Sequence, residues 1–101
     1  MTQINIPSEW QTPAEKTEYR FTPNYVDTIA FAKKLAETSP SIEYKAFGLS
    51  GQGRDLPLLI ASETQTFTPD EAKSQRKAVV LIQACIHAGE PDGKDAGFAL
   101  F

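Results

Sequence analysis

The chain has 101 residues, of which 41 % are hydrophobic and 23 % are charged, a composition typical of a folded globular domain and unlike that of a disordered chain. The formal net charge of −3, without a basic stripe or a basic amphipathic face, argues against nucleic acid and against a membrane surface as partners. No apolar run approaches the roughly 18 residues that a transmembrane helix needs.

Residues 1–22 are expected to form an irregular leader arm, because they show little hydrophobic periodicity. Within the arm, Thr12-Pro13-Ala14-Glu15 has the residue types of a helix start: a hydroxyl at the N-cap, then proline, then glutamate at the third helical position. The first twenty residues contain no apolar stretch of the kind found in signal peptides. The compartment therefore stays unknown: secreted or periplasmic if a signal peptide has been removed, and otherwise cytoplasmic.

A helix is predicted from Pro23 to Glu37, with Thr22 as its cap and Pro23 as its first residue. Its apolar residues recur at helical spacing and predict one buried stripe. That stripe consists of Tyr25, Ile29, Ala32, Leu35 and Ala36.

Two strands are predicted next, over residues 42–48 and 56–62, joined by the glycine-rich turn GLSGQGR at residues 48–54. Together they indicate a β-hairpin. A short helix is predicted to start at Thr68-Pro69-Asp70-Glu71, again from its capping residues.

The most hydrophobic run is residues 78–86, AVVLIQACI, which predicts a central strand covered on both faces. A further helix is expected to open near Asp92 or Gly93. Between the strand and this helix lie His87 and Glu90, three residues apart on a turn that contains Gly89. Open α/β sheets place their chemistry at such carboxyl ends of strands, and imidazole and carboxylate are both good zinc ligands. By itself H-x-x-E is a weak motif, and a partly buried histidine beside an exposed glutamate would also explain it.

A family resemblance makes this motif more specific. It is strongest in residues 79–90, VVLIQACIHAGE, which closely resemble the first zinc-binding motif of the zinc carboxypeptidase family. Residues 47–58, FGLSGQGRDLPL, look like that family's G-x-S-x-x-G-R hairpin, and residues 25–40 resemble its opening helix. The resemblance covers about residues 20–101 and extends to the interval between the hairpin and the zinc motif.

The resemblance implies that His87 and Glu90 bind one Zn²⁺ ion. In the family a second histidine far downstream completes the site, a downstream glutamate is the general base, and downstream arginines and a tyrosine bind the substrate carboxylate. His87 is the one histidine of the 101 residues, so the third protein ligand is expected outside this chain, and no catalytic residue is expected within it.

Four further residues bear on how the motif is interpreted. In the digestive members an arginine that polarises the substrate carbonyl stands where this chain has Gly89, and this departure puts digestive-type specificity in doubt. Arg54 is a candidate to act on the site from behind the metal ligands, although a guanidinium that ties the hairpin to the leader arm by hydrogen bonds is its more ordinary role. Asp92 could bind zinc or orient His87, although a helix N-cap is its more ordinary role. Cys85 could reach the same side as His87, but a buried position in the strand explains it better.

The expected fold is α/β: the amino-terminal portion of a mixed-sheet zinc-peptidase domain, with an opening helix, a β-hairpin, a central strand and the start of a helix. Residues 23–101 are expected to be an incomplete catalytic domain. The expected function is zinc-dependent, metallocarboxypeptidase-type hydrolysis of a peptide or amide substrate, with this chain inactive by itself. The alternatives are a truncated or pseudo-enzyme binding module without activity, and a related zinc amidohydrolase or acylase.

Overall fold

The computed structural model describes residues 5–101 and contains short helices and one hairpin. A 3-10 turn, Ser8–Trp10, precedes four helices and two strands. In chain order these are α1 (Pro13–Lys16), α2 (Tyr25–Thr38), β1 (Ile42–Leu49), β2 (Asp55–Ala61), α3 (Pro69–Ser74) and α4 (Asp92–Leu100). Helices together with a sheet confirm the α/β class expected from the sequence. Within residues 5–101 no helix has both the length and the apolarity to span a membrane.

The chain divides into two compact units, one made of the described residues up to Phe31 together with Gln83–Phe101, the other of Ala32–Ile82. In the first unit, α1 begins with a complete capping box. The Thr12 backbone N–H donates to Glu15 Oε2 at 2.7 Å, and the Glu15 N–H donates to Thr12 Oγ1 at 3.2 Å. These bonds satisfy two of the backbone donors that a helix start leaves open, as the sequence predicted.

The same unit holds an aromatic pair and a half-buried ammonium group. The rings of Phe31 and Phe98, both buried, meet edge to face with centroids 5.0 Å apart. Lys94 Nζ donates to Thr22 Oγ1 at 2.8 Å and to the Pro23 carbonyl at 3.0 Å. Residues near the start of α2 are therefore bonded to α4 although more than seventy residues separate them in sequence.

Helix α2 starts two residues later than predicted. Asn24, rather than Thr22, supplies the capping side chain, since its Oδ1 accepts from the Asp27 N–H at 2.9 Å. The Thr22 hydroxyl is instead the acceptor for Lys94. The prediction of Thr22 as the cap was wrong because Asn24, two residues later, caps a helix equally well, and the Thr22 hydroxyl is bonded to Lys94 instead.

In the second unit, β1 and β2 form the predicted antiparallel hairpin, with Ile42 opposite Ala61 and Leu49 opposite Asp55. A bulge between Ala46 and Gly48 shifts the register by one residue. Helix α3 begins where predicted: Thr68 Oγ1 accepts from the Glu71 N–H at 3.2 Å. The buried apolar side chains of this unit are Ala32, Leu35 and Ala72.

The predicted central strand over residues 78–86 does not form in this structure. The sheet in the described part of the chain has two strands, β1 and β2, and residues 78–86 take part in none of its pairing. Val79, Val80 and Leu81 are each about four-fifths exposed. Apolar and β-branched composition gives a segment the tendency to be a strand, but a strand exists only beside a neighbour that takes its backbone hydrogen bonds.

Candidate metal centre

The candidate centre is built on a tight turn. The Glu90 backbone N–H donates to the His87 carbonyl at 3.0 Å, which folds residues 87–90 into a β-turn. Ala88 and Gly89 occupy the middle of the turn. A Cβ atom at Gly89 would have no atom within 4 Å, so the space beside the two candidate ligands is open.

The side chains of His87 and Glu90 converge across this turn. His87 Nδ1 lies 3.1 Å from Glu90 Oε2, a hydrogen bond when that nitrogen carries its proton. Both side chains are exposed, by 77 % and 61 %. Two ligand atoms on one tetrahedral zinc ion, each at about 2.0–2.2 Å from it, are separated by about 3.4 Å. The observed separation is within a few tenths of an ångström of that, so this pair of donors fits a shared zinc ion.

Asp92 is placed differently from the prediction of a helix N-cap. It is the first residue of α4, the cap position is taken by Pro91, and no side chain caps the helix. The Asp92 side chain is exposed and, with Glu90, lines a groove that also includes Ala84 and Cys85. A role in orienting His87 stays a prediction.

Ala84, in the chain before the turn, lies close to Gly93 at the start of α4. A Cβ atom on Gly93 would lie 3.4 Å from the Cβ of Ala84. The chain before the turn therefore rests on the first turn of α4, an arrangement that the sequence analysis missed. The only signal for it was the pair of small residues at these positions.

A third metal ligand is not brought to this turn. Among residues 5–101 no group of three or more His, Cys, Asp or Glu side chains is placed to hold a metal ion. Cys85 was expected to be buried in a strand; it is exposed, with a positive φ of 57°. The expected strand around Cys85 does not form. The argument that Cys85 lies on the same side of a strand as His87 therefore does not apply, and neither does the argument that it is buried within that strand.

Arg54 lies in the unit formed by Ala32–Ile82 and closes the hairpin turn with its backbone. Its carbonyl accepts from the Ser50 N–H at 2.8 Å, and its own N–H donates to Ser50 Oγ at 3.1 Å. These are bonds of the Arg54 backbone, so the expected role of its guanidinium in tying the hairpin to the leader arm stays a prediction. An influence of its guanidinium on a metal ligand stays a prediction.

Comparison with known protein families decides the wider relationship. The family model described as zinc carboxypeptidase matches residues 28–101, nearly three-quarters of the chain. This chain belongs to the zinc carboxypeptidase family. The family implies zinc as the metal and a peptide as the class of substrate. No curated protein and no solved structure matches the chain.

Proposed function

We propose that His87 and Glu90 are two protein ligands of a zinc ion in a metallocarboxypeptidase-type centre that hydrolyses peptide bonds. The observation that carries the proposal is the 3.1 Å approach of His87 Nδ1 to Glu90 Oε2 across a hydrogen-bonded turn. The turn lies within the residues that match the family. The two donors are of types that bind zinc, and their separation is close to that of two ligand atoms on one tetrahedral zinc ion.

The turn would hold the side chains of His87 and Glu90 in position for the metal. The His87–Glu90 backbone hydrogen bond fixes the spacing of the two side chains before any metal arrives, which reduces the entropy lost on binding. Glu90 offers a carboxylate oxygen and His87 offers Nδ1, which leaves Nε2 to face other groups or water. When bound, zinc would supply a Lewis acid that polarises the scissile carbonyl and activates a water.

Gly89 sets one feature of substrate binding. With no side chain at this position, the turn presents no guanidinium beside the metal, and nothing lies within 4 Å of the space that a Cβ would fill. The scissile carbonyl would then be polarised without help from this residue. We therefore expect a specificity different from that of the digestive enzymes that carry an arginine here.

A metal-binding module without activity is the second candidate function. It is favoured by the donor count, since the described residues bring two ligands together and the sequence contains a single histidine. For the peptidase, we expect the third protein ligand to be supplied by residues that the described range 5–101 does not bring to this turn.

Calorimetric titration of the 101-residue chain with zinc tests the assignment of the ligands. We expect weak binding, with a dissociation constant of about 1 μM or higher, because two protein ligands leave half of a tetrahedral site to water. The variants His87→Ala and Glu90→Gln should each weaken binding by roughly tenfold or more. Glu63→Gln, which makes the same chemical change at another exposed turn residue, should leave it unchanged. Sub-micromolar affinity, or equal affinity in all variants, would contradict the two-ligand assignment.

A peptidase assay on the natural full-length protein tests the activity. We expect release of the carboxy-terminal residue from peptides, loss of the activity with a chelator and its recovery with added zinc. Glu90→Gln should abolish hydrolysis, and Glu63→Gln should not. Cleavage that resists the chelator would refute the peptidase proposal, whereas zinc binding without cleavage would support the binding module.

A further inference from the structure

Lys94, in the first turn of α4, has an ammonium group whose three hydrogens are matched by three oxygen atoms. Its Nζ donates to Thr22 Oγ1 at 2.8 Å and to the Pro23 carbonyl at 3.0 Å, and it lies 3.3 Å from Asp95 Oδ1. The Lys94 side chain is 17 % exposed. An ammonium group with so little contact with water is stable only where oxygen acceptors replace its hydration, so these contacts fix its position.

The contacts of Lys94 join the first turn of α4 to residues 22–23, which precede α2. One turn further along α4, Phe98 packs on Phe31 with ring centroids 5.0 Å apart. Residues four apart lie on one face of a helix, so Lys94 and Phe98 hold the same face of α4. Phe98 holds it by apolar packing, and Lys94 holds its amino-terminal end by hydrogen bonds.

The candidate zinc turn, residues 87–90, leads directly into the part of α4 that Lys94 holds. Pro91 follows the turn, and its carbonyl accepts from the backbone N–H groups of Lys94 at 3.1 Å and of Asp95 at 3.2 Å. The proline ring restricts φ, which is −80° at Pro91, so the connection between the turn and the helix has little freedom. All of these residues lie in one compact unit together with residues 22–23. The placement of the zinc turn therefore follows that of the start of α4.

We propose that Lys94 is a positioning residue for the zinc centre: by bonding the start of α4 to residues 22–23, it holds the His87–Glu90 turn in the conformation that binds the metal. Its ammonium group acts through the helix and not by contact with the metal. A turn that is ordered before zinc arrives loses less conformational entropy on binding. The inference rests on the proposed function, because it concerns the same two ligands.

Backbone amide relaxation measured by NMR tests the positioning on the metal-free chain. We expect order parameters of about 0.85, the value of rigid backbone, for residues 88–90 of the unchanged chain, and values below about 0.6 in Lys94→Met, which keeps a long side chain but removes its donors. Lys73→Met makes the same change at an exposed position on α3 and should leave residues 88–90 rigid. Residues 88–90 that stay equally rigid in Lys94→Met would overturn the proposal.

Phe98 and Thr22 separate positioning from a general loss of structure. The Phe98 amide should stay rigid in Lys94→Met, because the ring packing on Phe31 does not involve the ammonium group. Loss of order at Phe98 as well would show a merely structural role and would overturn the proposal. Thr22→Val removes one acceptor at an exposed position, where folding is expected to persist, and should loosen residues 88–90 to a smaller degree. Unchanged order in Thr22→Val would count against the proposal too.

Calorimetric titration with zinc tests whether the positioning affects metal binding. Lys94→Met should weaken binding by about three- to tenfold, the effect expected when about one more side chain must be ordered on binding, and Lys73→Met should not weaken it. Equal affinity of Lys94→Met and the unchanged chain, with His87→Ala weaker than both, would overturn the role of Lys94 and leave the proposed ligands intact. Absence of zinc binding by the unchanged chain would instead refute the proposed ligands.

Discussion

Gly53 determines how the hairpin turn closes. Its φ of +74° lies in the left-handed region, and its N–H donates to the Ser50 carbonyl at 2.9 Å. We expect Gly53→Ala to lower the free energy of unfolding by about 1–2 kcal/mol, because a Cβ is unfavourable at positive φ even where space is available. Urea denaturation of the variant and of the unchanged chain measures this difference.

Gly51 provides the control for this prediction. It lies in the same turn, and like Gly53 it has no atom within 4 Å of the position of a Cβ, but its φ is not in the left-handed region. Gly51→Ala should be neutral or should stabilise the chain by up to about 1 kcal/mol, through the reduced entropy of the unfolded state. If the two variants are equally stable, the positive φ of Gly53 does not determine the cost of adding a Cβ in this turn.

The relative placement of the two candidate zinc ligands, His87 and Glu90, is also decided by individual residues. The spacing of His87 and Glu90 predicted that both side chains could face one point, and they converge to 3.1 Å. This was predictable because a tight turn is local: four residues and one backbone hydrogen bond define it. The positions of Asp92 and Arg54 were harder to predict, since each depends on how a helix start or a hairpin end packs.

At the scale of elements, the helix starts at Thr12 and Thr68 follow directly from their sequences. Each hydroxyl accepts from the backbone N–H three residues later, within a single turn of chain. The start of α2 was less predictable, because both Thr22 and Asn24 can cap a helix. A contact with Lys94, distant in sequence, holds the Thr22 hydroxyl instead.

Residues 78–86 show the opposite case at the same scale. Their composition predicted a buried strand, yet they are exposed and bonded to no neighbour within residues 5–101. A helix completes its hydrogen bonds within itself, whereas a strand needs a second one. Sequence can therefore indicate that a segment favours strand structure without indicating what it pairs with.

For the whole molecule, we expect unfolding of low cooperativity, because the buried core is small. The buried apolar side chains in the described part of the chain are Ala14, Phe31, Ala32, Leu35, Ala72 and Phe98. The dependence of unfolding free energy on denaturant concentration scales with the surface exposed on unfolding. We expect a urea m-value at or below about 1 kcal/mol/M, the low end for small proteins, from circular dichroism at 222 nm. A steep, sharp transition would contradict this prediction, because it would show that the 101 residues form a larger cooperative core than the structure contains.

The sequence by itself determined the family, the hairpin, two helix caps and the convergence of His87 with Glu90. All of these except the family depend on interactions between residues close in the chain, and the family depends on several such motifs in a fixed order. Only the tertiary structure decided the packing of Phe31 on Phe98, the Lys94 contact to Thr22, and the exposure of residues 78–86. The physical reason is that these depend on which surfaces distant segments present to each other, and local preferences do not specify that choice.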